Sequence, residues 1–353
     1  MDETEHVGIS MALSAQIPES GSFSLPSSPA AQPPMTGTPS SGGGPSRLAR
    51  RRGDTMFRLL TQGSGALLLV IMAAIAVFLV LQAIPALTAD TTSFFTTLKW
   101  DPDGVPSSFG IAALAFGSIL TSLLALLMSV PVAVGVALAV SHYAPRWLAS
   151  PLAYVVDLLA AVPSVVFGLW GLIYLVPHVI PPSKFLHHYL GFIPLFGSND
   201  TYGKSIFAAS VVLAVMVIPI VAAISREVFI QTPRDHIEAA WAIGATKWEV
   251  VRTAVLPYGR SGVVSGTVLG FGRAIGETIA VALVLSANYV ISIHILEPGG
   301  NTIAANIANR YGEAGDVGRG ALIASGLVLF VITLIVNFGA RAVAGRNVRV
   351  GVS

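Results

Sequence analysis

No cysteine occurs anywhere in the 353-residue chain, and charged residues make up only 11% of it. The first absence excludes disulfides, thiolate metal sites and thiol nucleophiles, and leaves the redox compartment undetermined. The second sets the chain apart from soluble domains, in which roughly 25% of residues are charged. A formal net charge of +2 is too small to point to nucleic acid, so the placement of the charges carries more information than their sum. What fills the chain instead is apolar: 54% of its residues are hydrophobic, the composition of a polytopic membrane protein.

Residues 1–53 lack the apolar run of a signal peptide and are dominated by Ser, Pro and Gly from Ser20 to Ser46, which predicts a disordered tail. The tail ends in Arg47, Arg50, Arg51 and Arg52, with Arg58 shortly after. This cluster reads as a positive-inside topology anchor, the other reading being a binding patch for a partner or for anionic lipid.

A crossing needs about 20 mostly apolar residues, and the pattern predicts six, near 63–86, 111–140, 148–179, 205–225, 261–291 and 320–343. Pro131 and Pro163 fall inside the second and third, where each either kinks the helix or divides it. With the amino terminus in the cytoplasm, only five of the 20 Lys and Arg lie outside (Lys99, Lys184, Lys204, Arg310, Arg319), and Arg273 lies in the membrane. That asymmetry places both termini and the 226–260 loop on the cytoplasmic side. The expected organisation is therefore a tail over 1–53, a first transmembrane helix and outer loop over 54–107, a core over 108–345, and a short cytoplasmic tail over 346–353.

In the 226–260 loop the local signals predict two short helices. Thr232 caps the first, with Pro233 at its first position, and Gly244 ends it in a left-handed conformation. Thr246 and Glu249 have capping-box spacing for the second, and Pro257 stops it. Such a knob suits a groove on a soluble partner. Its residues Glu238, Ala239, Ala240, Gly244, Leu256 and Pro257 resemble the EAA loop of bacterial ABC-importer permeases. Ala254 departs from the isoleucine usual there, which weakens one packing contact.

Two further segments, Leu158–Gly171 and Gly272–Thr278, resemble the phosphate-specific permeases of the PstC type, within the wider family of binding-protein-dependent transport system inner-membrane components. The likeness covers roughly 55–345. It departs at Asp157, where the family often has glutamate, and in the long tail. It implies an all-α, six-helix type I ABC importer permease fold in a bacterial plasma membrane. It also implies a second homologous permease, two ATP-binding subunits, docked through the EAA-like loop, and an extracytoplasmic phosphate-binding protein. The chain itself would catalyse nothing and need no cofactor.

The residues suit an oxyanion path. On a continuous helix at about 100° per residue, Gly262, Gly266, Gly270, Arg273 and Glu277 project within an arc of roughly 80°. Arg273 and Glu277, at i and i+4, can share a hydrogen bond facing the bundle interior, with Thr278 beside them. A charge at bilayer depth costs about 2.5 kcal/mol or more, so an ionisable residue there marks function by default. Arg offers a rigid fork for tetrahedral oxyanions; Glu277 moderates its charge and accepts the proton that phosphate, unlike sulfate, still carries near neutral pH. A purely structural bridge is the alternative. Asp157 reads either as a gate element or partner of an inner-loop Arg, or as an ordinary solvated carboxylate at headgroup level. Gly168 and Gly171 either thin the third helix at the pathway or serve packing.

Other signals fail. Gly203-Lys204-Ser205 ends like a P-loop, but Ser198 stands where that motif needs glycine, so no ATP site is expected. His187-His188 has no third ligand at helical spacing, and Asp101-Pro102-Asp103-Gly104 is a turn with too few oxygens for calcium. The competing functions are a permease for sulfate or molybdate, and an ion-coupled secondary transporter using Arg273, Glu277 and Asp157 as a relay. An intramembrane enzyme ranks last, because the spans hold no nucleophile–base or metal-hydrolase arrangement.

Overall fold

The computed structural model describes residues 47–348, and apart from one two-stranded ribbon its regular elements are helices. The chain divides into two units. In the first, Met1–Gly63, the described part is the opening of α1 (Arg47–Ala89), with exposed side chains from Thr55 to Gly63. The rest of the tail expected over 1–53 lies outside the described residues, as do residues 349–353.

The second unit, Ser64–Ser353, holds everything else. The ribbon of β1 (Trp100–Asp101) and β2 (Ser108–Phe109) leads into α2 (Ala112–Leu138). Then come α3 (Arg146–Ala160), α4 (Ser164–Trp170), α5 (Val176–Leu190) and α6 (Ile206–Ile230). After these stand α7 (Arg234–Ala242), α8 (Lys247–Val250), α9 (Leu256–Ile275), α10 (Ile279–Val284), α11 (Ile303–Arg310) and α12 (Asp316–Val348).

Among the described residues, five helices are long and apolar enough to cross a membrane: Thr55–Ala89, Ala112–Tyr143, Ser164–Leu190, Ile206–Ile230 and Asp316–Gly339. Four overlap the first, second, fourth and sixth expected spans, with their ends displaced by one to eight residues. The third expected span, 148–179, is divided at 161–163, where Pro163 has no N–H to continue the α3 ladder and α4 starts afresh. The fifth, 261–291, is not one helix. α9 ends at Ile275, residues 276–278 are non-helical, and the helix of α10 stops at Val284, after which the chain is irregular as far as Thr302. With 20 residues α9 has the length of a crossing, but its glycines and two arginines lower its hydropathy.

Three wide π-turns, Ala139–Tyr143, Gly171–Leu175 and Val251–Val255, share one cause. Each is followed at the same offset by a proline: Pro145, Pro177 and Pro257. The residue before each proline donates its N–H five residues back, Ala144 to Ala139, Val176 to Gly171 and Leu256 to Val251. Widening the turn moves the carbonyl with which the proline ring would collide, so the helix survives at Pro177 and Pro257. Pro257 therefore does not stop its helix, contrary to expectation; the chain is helical from Lys247 through Ile275.

The core sits around α6, whose Val212, Leu213, Met216, Val217 and Val221 are buried almost completely. α2 and α9 pack along it, α9 through glycines that let the backbones approach. Gly259 faces Phe229, Gly262 faces Val228, and Gly266 faces Ile224 and Val221. At Gly270 a Cβ would stand 2.7 Å from Val217 Cγ1.

Candidate functional site

The glycine contacts set the level of the two helix breaks. Going up α9 from Gly262 to Gly270, the partners on α6 run backward from Val228 to Val217, so these helices are antiparallel. α4 and α10 are parallel: Gly168 lies against Ala280 and Gly171 against Val284. Gly171 also meets Val212 of α6, with a Cβ there 2.6 Å from Val212 Cγ2. Two interrupted helices thus restart side by side at one level, less than two turns from the middle of α6. Non-helical backbone at membrane depth is tolerated only inside protein or beside a water-filled cavity. Gly168 and Gly171 serve packing, while Pro163 supplies the break.

Arg273 stands in the last turn of α9, half-buried, and its Nε is buried with no hydrogen-bond partner. Glu277 lies in the break. Among the described residues the ion pairs are Lys99–Asp101, Asp157–Arg226 and His294–Glu297. Arg273 and Glu277 share no hydrogen bond, because the helix that would have stacked them ends between them. Glu277 Oε1 instead accepts the Ala280 N–H at 3.3 Å, supporting the first turn of α10. Thr278 turns its hydroxyl back to the Gly276 carbonyl at 3.2 Å. Arg273 thus precedes the break and Glu277 and Thr278 lie within it, without the bridge the spacing implied.

Asp157 is remote from that group along α3. Its Oδ2 meets Arg226 Nη2 at 3.4 Å, tying α3 to the last turns of α6. The carboxylate is half-exposed, whereas the Arg226 side chain is largely buried and its Nε has no partner. With its carboxylate half-exposed to solvent, the pair is screened, and it contributes about 1 kcal/mol.

The knob forms, with one change. α7 begins after Pro233, and the Thr232 hydroxyl is buried without a partner rather than capping the helix. Gly244 is left-handed at φ 79°, its N–H bonding the Trp241 carbonyl at 2.9 Å while the Ala245 N–H reaches Ala240 at 3.2 Å. These two bonds complete a Schellman ending. Thr246 and Glu249 form the expected capping box. The amide and hydroxyl of Thr246 hold the Glu249 carboxyl below its ordinary value. Glu238 and Ala239 are exposed, Ala240 is buried, and Trp241, Ile243 and Trp248 present large apolar surfaces to the outside. Lys247 lies 4.7 Å over the Tyr143 ring, joining the knob to the end of the second span.

Several structural residues escaped the sequence reading. Ser205, in the P-loop look-alike, caps α6 by accepting the Ala208 N–H. Asp103 accepts the N–H groups of Gly315 and Gly318 at 3.0 and 2.9 Å, pinning the start of α12. Asn306, fully buried, accepts from Tyr289 Oη at 2.8 Å and Asn301 Nδ2 at 3.3 Å, fastening the long segment after α10.

The family model described as "Binding-protein-dependent transport system inner membrane component" matches residues 129–349. Phosphate transport system permease protein PstC 2 of Mycobacterium tuberculosis is 47% identical over 303 residues, 84% of this chain and 94% of that protein. The PstC protein of Mycobacterium leprae is 46% identical over 77% of this chain and 87% of its own length. That of Xylella fastidiosa (strain Temecula1) is 40% identical over 88% and 94%. Among solved structures, the inward-facing MetNI methionine ABC transporter aligns with TM-score 0.48 and 15% identity, covering 65% of this chain and 93% of that one.

Proposed function

Because the chain belongs to the binding-protein-dependent transport system inner membrane component family, we propose that it is the permease subunit of an ATP-driven importer of inorganic phosphate. It works with a second homologous permease, two ATP-binding subunits and an extracytoplasmic phosphate-binding protein, with both termini in the cytoplasm. ATP hydrolysis belongs to the separate subunits. The relatives named as phosphate permeases support the substrate.

The observation that carries the reading is the orphaned Arg273 Nε beside two helix breaks at one level. A buried donor without a partner costs about 1–3 kcal/mol, a penalty relieved when an oxyanion arrives to accept it. The guanidinium is not neutralised by Glu277, so its charge is available to the anion. Glu277, within the same break, provides an acceptor for the phosphate proton. Thr278 adds a hydroxyl. Interrupted helices are a common device for transport sites near the bilayer midplane. Movement of the ATP-binding subunits enters through the 232–257 knob, and the Asp157–Arg226 contact is an element that changes as α3 and α6 separate.

The test is uptake of labelled phosphate by the complete transporter in proteoliposomes, with sulfate and molybdate as competitors. Arg273→Gln abolishes uptake while the complex still assembles. Undiminished transport by that variant removes the pathway role, and equal competition by sulfate removes the phosphate assignment.

A further inference from the structure

Where α1 ends and α12 begins, the two helices flank a groove of about 500 Å³. Its floor is closed by Gly320, where a Cβ would stand 2.7 Å from Ala86 Cβ and 3.3 Å from the Gln82 carbonyl oxygen. One wall is a single face of α1, with Phe78, Gln82 and Pro85 at i, i+4 and i+7. The other is a single face of α12, with Asp316, Arg319 and Ile323 at i, i+3 and i+7, and Tyr311 stands at the rim.

The groove is amphipathic along its length. From Pro85 to Phe78 it runs about 10 Å down α1, away from the charged first turn of α12 and onto apolar side chains. Both apolar stretches, Thr55–Ala89 and Asp316–Gly339, reach their boundary at this point. The polar end thus sits at headgroup level and the apolar end faces acyl chains. Arg319 has no carboxylate within ion-pairing distance among the described residues, and neither does Asp316 any cation. They stand one turn apart on the same helix face, an unpaired cation beside an unpaired anion.

The geometry points to a binding site for a zwitterionic aminophospholipid of the phosphatidylethanolamine class. Arg319 takes the phosphodiester, Asp316 takes the ammonium, Tyr311, Pro85 and Gln82 lie within the headgroup zone, and an acyl chain lies along Phe78 and Ile323. Inorganic phosphate fits less well, since it gains nothing from the apolar walls and is repelled by Asp316. A purely anionic headgroup leaves Asp316 uncompensated. The site does not depend on which substrate the transporter carries. It gives α1, which is buried only at Ala83 and Ala86 along its apolar length, a second attachment through lipid.

The experiment is native mass spectrometry of the delipidated complete transporter titrated with phosphatidylethanolamine, phosphatidylglycerol or inorganic phosphate. The parent protein binds phosphatidylethanolamine at least about tenfold more tightly than phosphatidylglycerol. Arg319→Gln loses about tenfold in lipid affinity, Arg319→Lys keeps most of it, and Asp316→Asn shifts the preference toward phosphatidylglycerol. Arg310→Gln, a charge lost from the neighbouring pocket, leaves binding unchanged. Equal phosphatidylethanolamine binding by the parent and Arg319→Gln overturns the proposal. So does displacement of the lipid by inorganic phosphate.

Discussion

Replacing Gly244 by asparagine, alanine and valine in turn varies backbone conformation with little else. A Cβ at this position meets nothing within 4 Å, so no side chain is displaced. What changes is the cost of holding φ at 79°. Asparagine tolerates the left-handed region, alanine loses about 1–2 kcal/mol there, and β-branched valine loses more. A penalty of that size shifts the intact Schellman ending by roughly 5- to 30-fold relative to its opened forms. Opening it swings α8 away from α7 and separates Trp241 and Ile243 from Trp248, the exposed apolar side chains on which the proposed docking of the ATP-binding subunit rests. Co-purification of that subunit with a tagged permease, measured beside phosphate uptake, should fall in the order Gly, Asn, Ala, Val, while the amount of permease in the membrane stays level. If valine and asparagine variants retain equal ATP-binding subunit and equal uptake, the knob does not dock through this geometry.

Three further outcomes follow from contacts already described. Glu277→Gln keeps an oxygen for the Ala280 N–H and preserves folding, whereas Glu277→Ala removes it and lowers the thermal midpoint of the purified transporter; equal midpoints would show that the cap contributes nothing. Gly270→Leu drives a side chain into Val217, costing about 1–3 kcal/mol through overpacking between α6 and α9, read as reduced thermal stability and yield against Gly272→Leu, whose Cβ meets nothing within 4 Å. The lowered Glu249 pKa has a definite sign: its contribution is complete above the ordinary carboxylate value and is lost as pH falls through the lowered folded value. The protection of the amides at residues 247–250, taken relative to the intrinsic exchange rate at each pH, should therefore fall on acidification in the parent, and a Glu249→Gln variant should lack that fall.

Elements encoded by neighbouring residues were the legible ones. Apolar runs located α2, α6 and α12, and the Thr246–Glu249 spacing gave the capping box together with the left-handed Gly244. Arg273 and Glu277 were misread as a bridge because four-residue spacing pairs side chains only on an unbroken helix. Gly276, with its weak helix propensity, and Glu277, whose carboxylate serves the Ala280 amide, end that continuity. The proline rule failed at Pro257 for the opposite reason: a wider turn accommodated the ring. A partnership of Asp157 with an inner-loop Arg was one of its two readings, but the choice of Arg226, 69 positions away, and the Asp103 contacts to α12, more than 200 positions away, were beyond reach of local spacing.

The π-turn at Val251–Val255 also acts as an angular offset. A turn that absorbs one extra residue rotates everything beyond it by about 100° relative to an uninterrupted α-helix. The knob's α8 and the glycine face of α9 belong to one rod, and this offset fixes the direction in which one points relative to the other. Removing a single residue from the turn would leave both surfaces chemically intact yet aim them differently. A push received at Trp248 would then reach α6 along the wrong face.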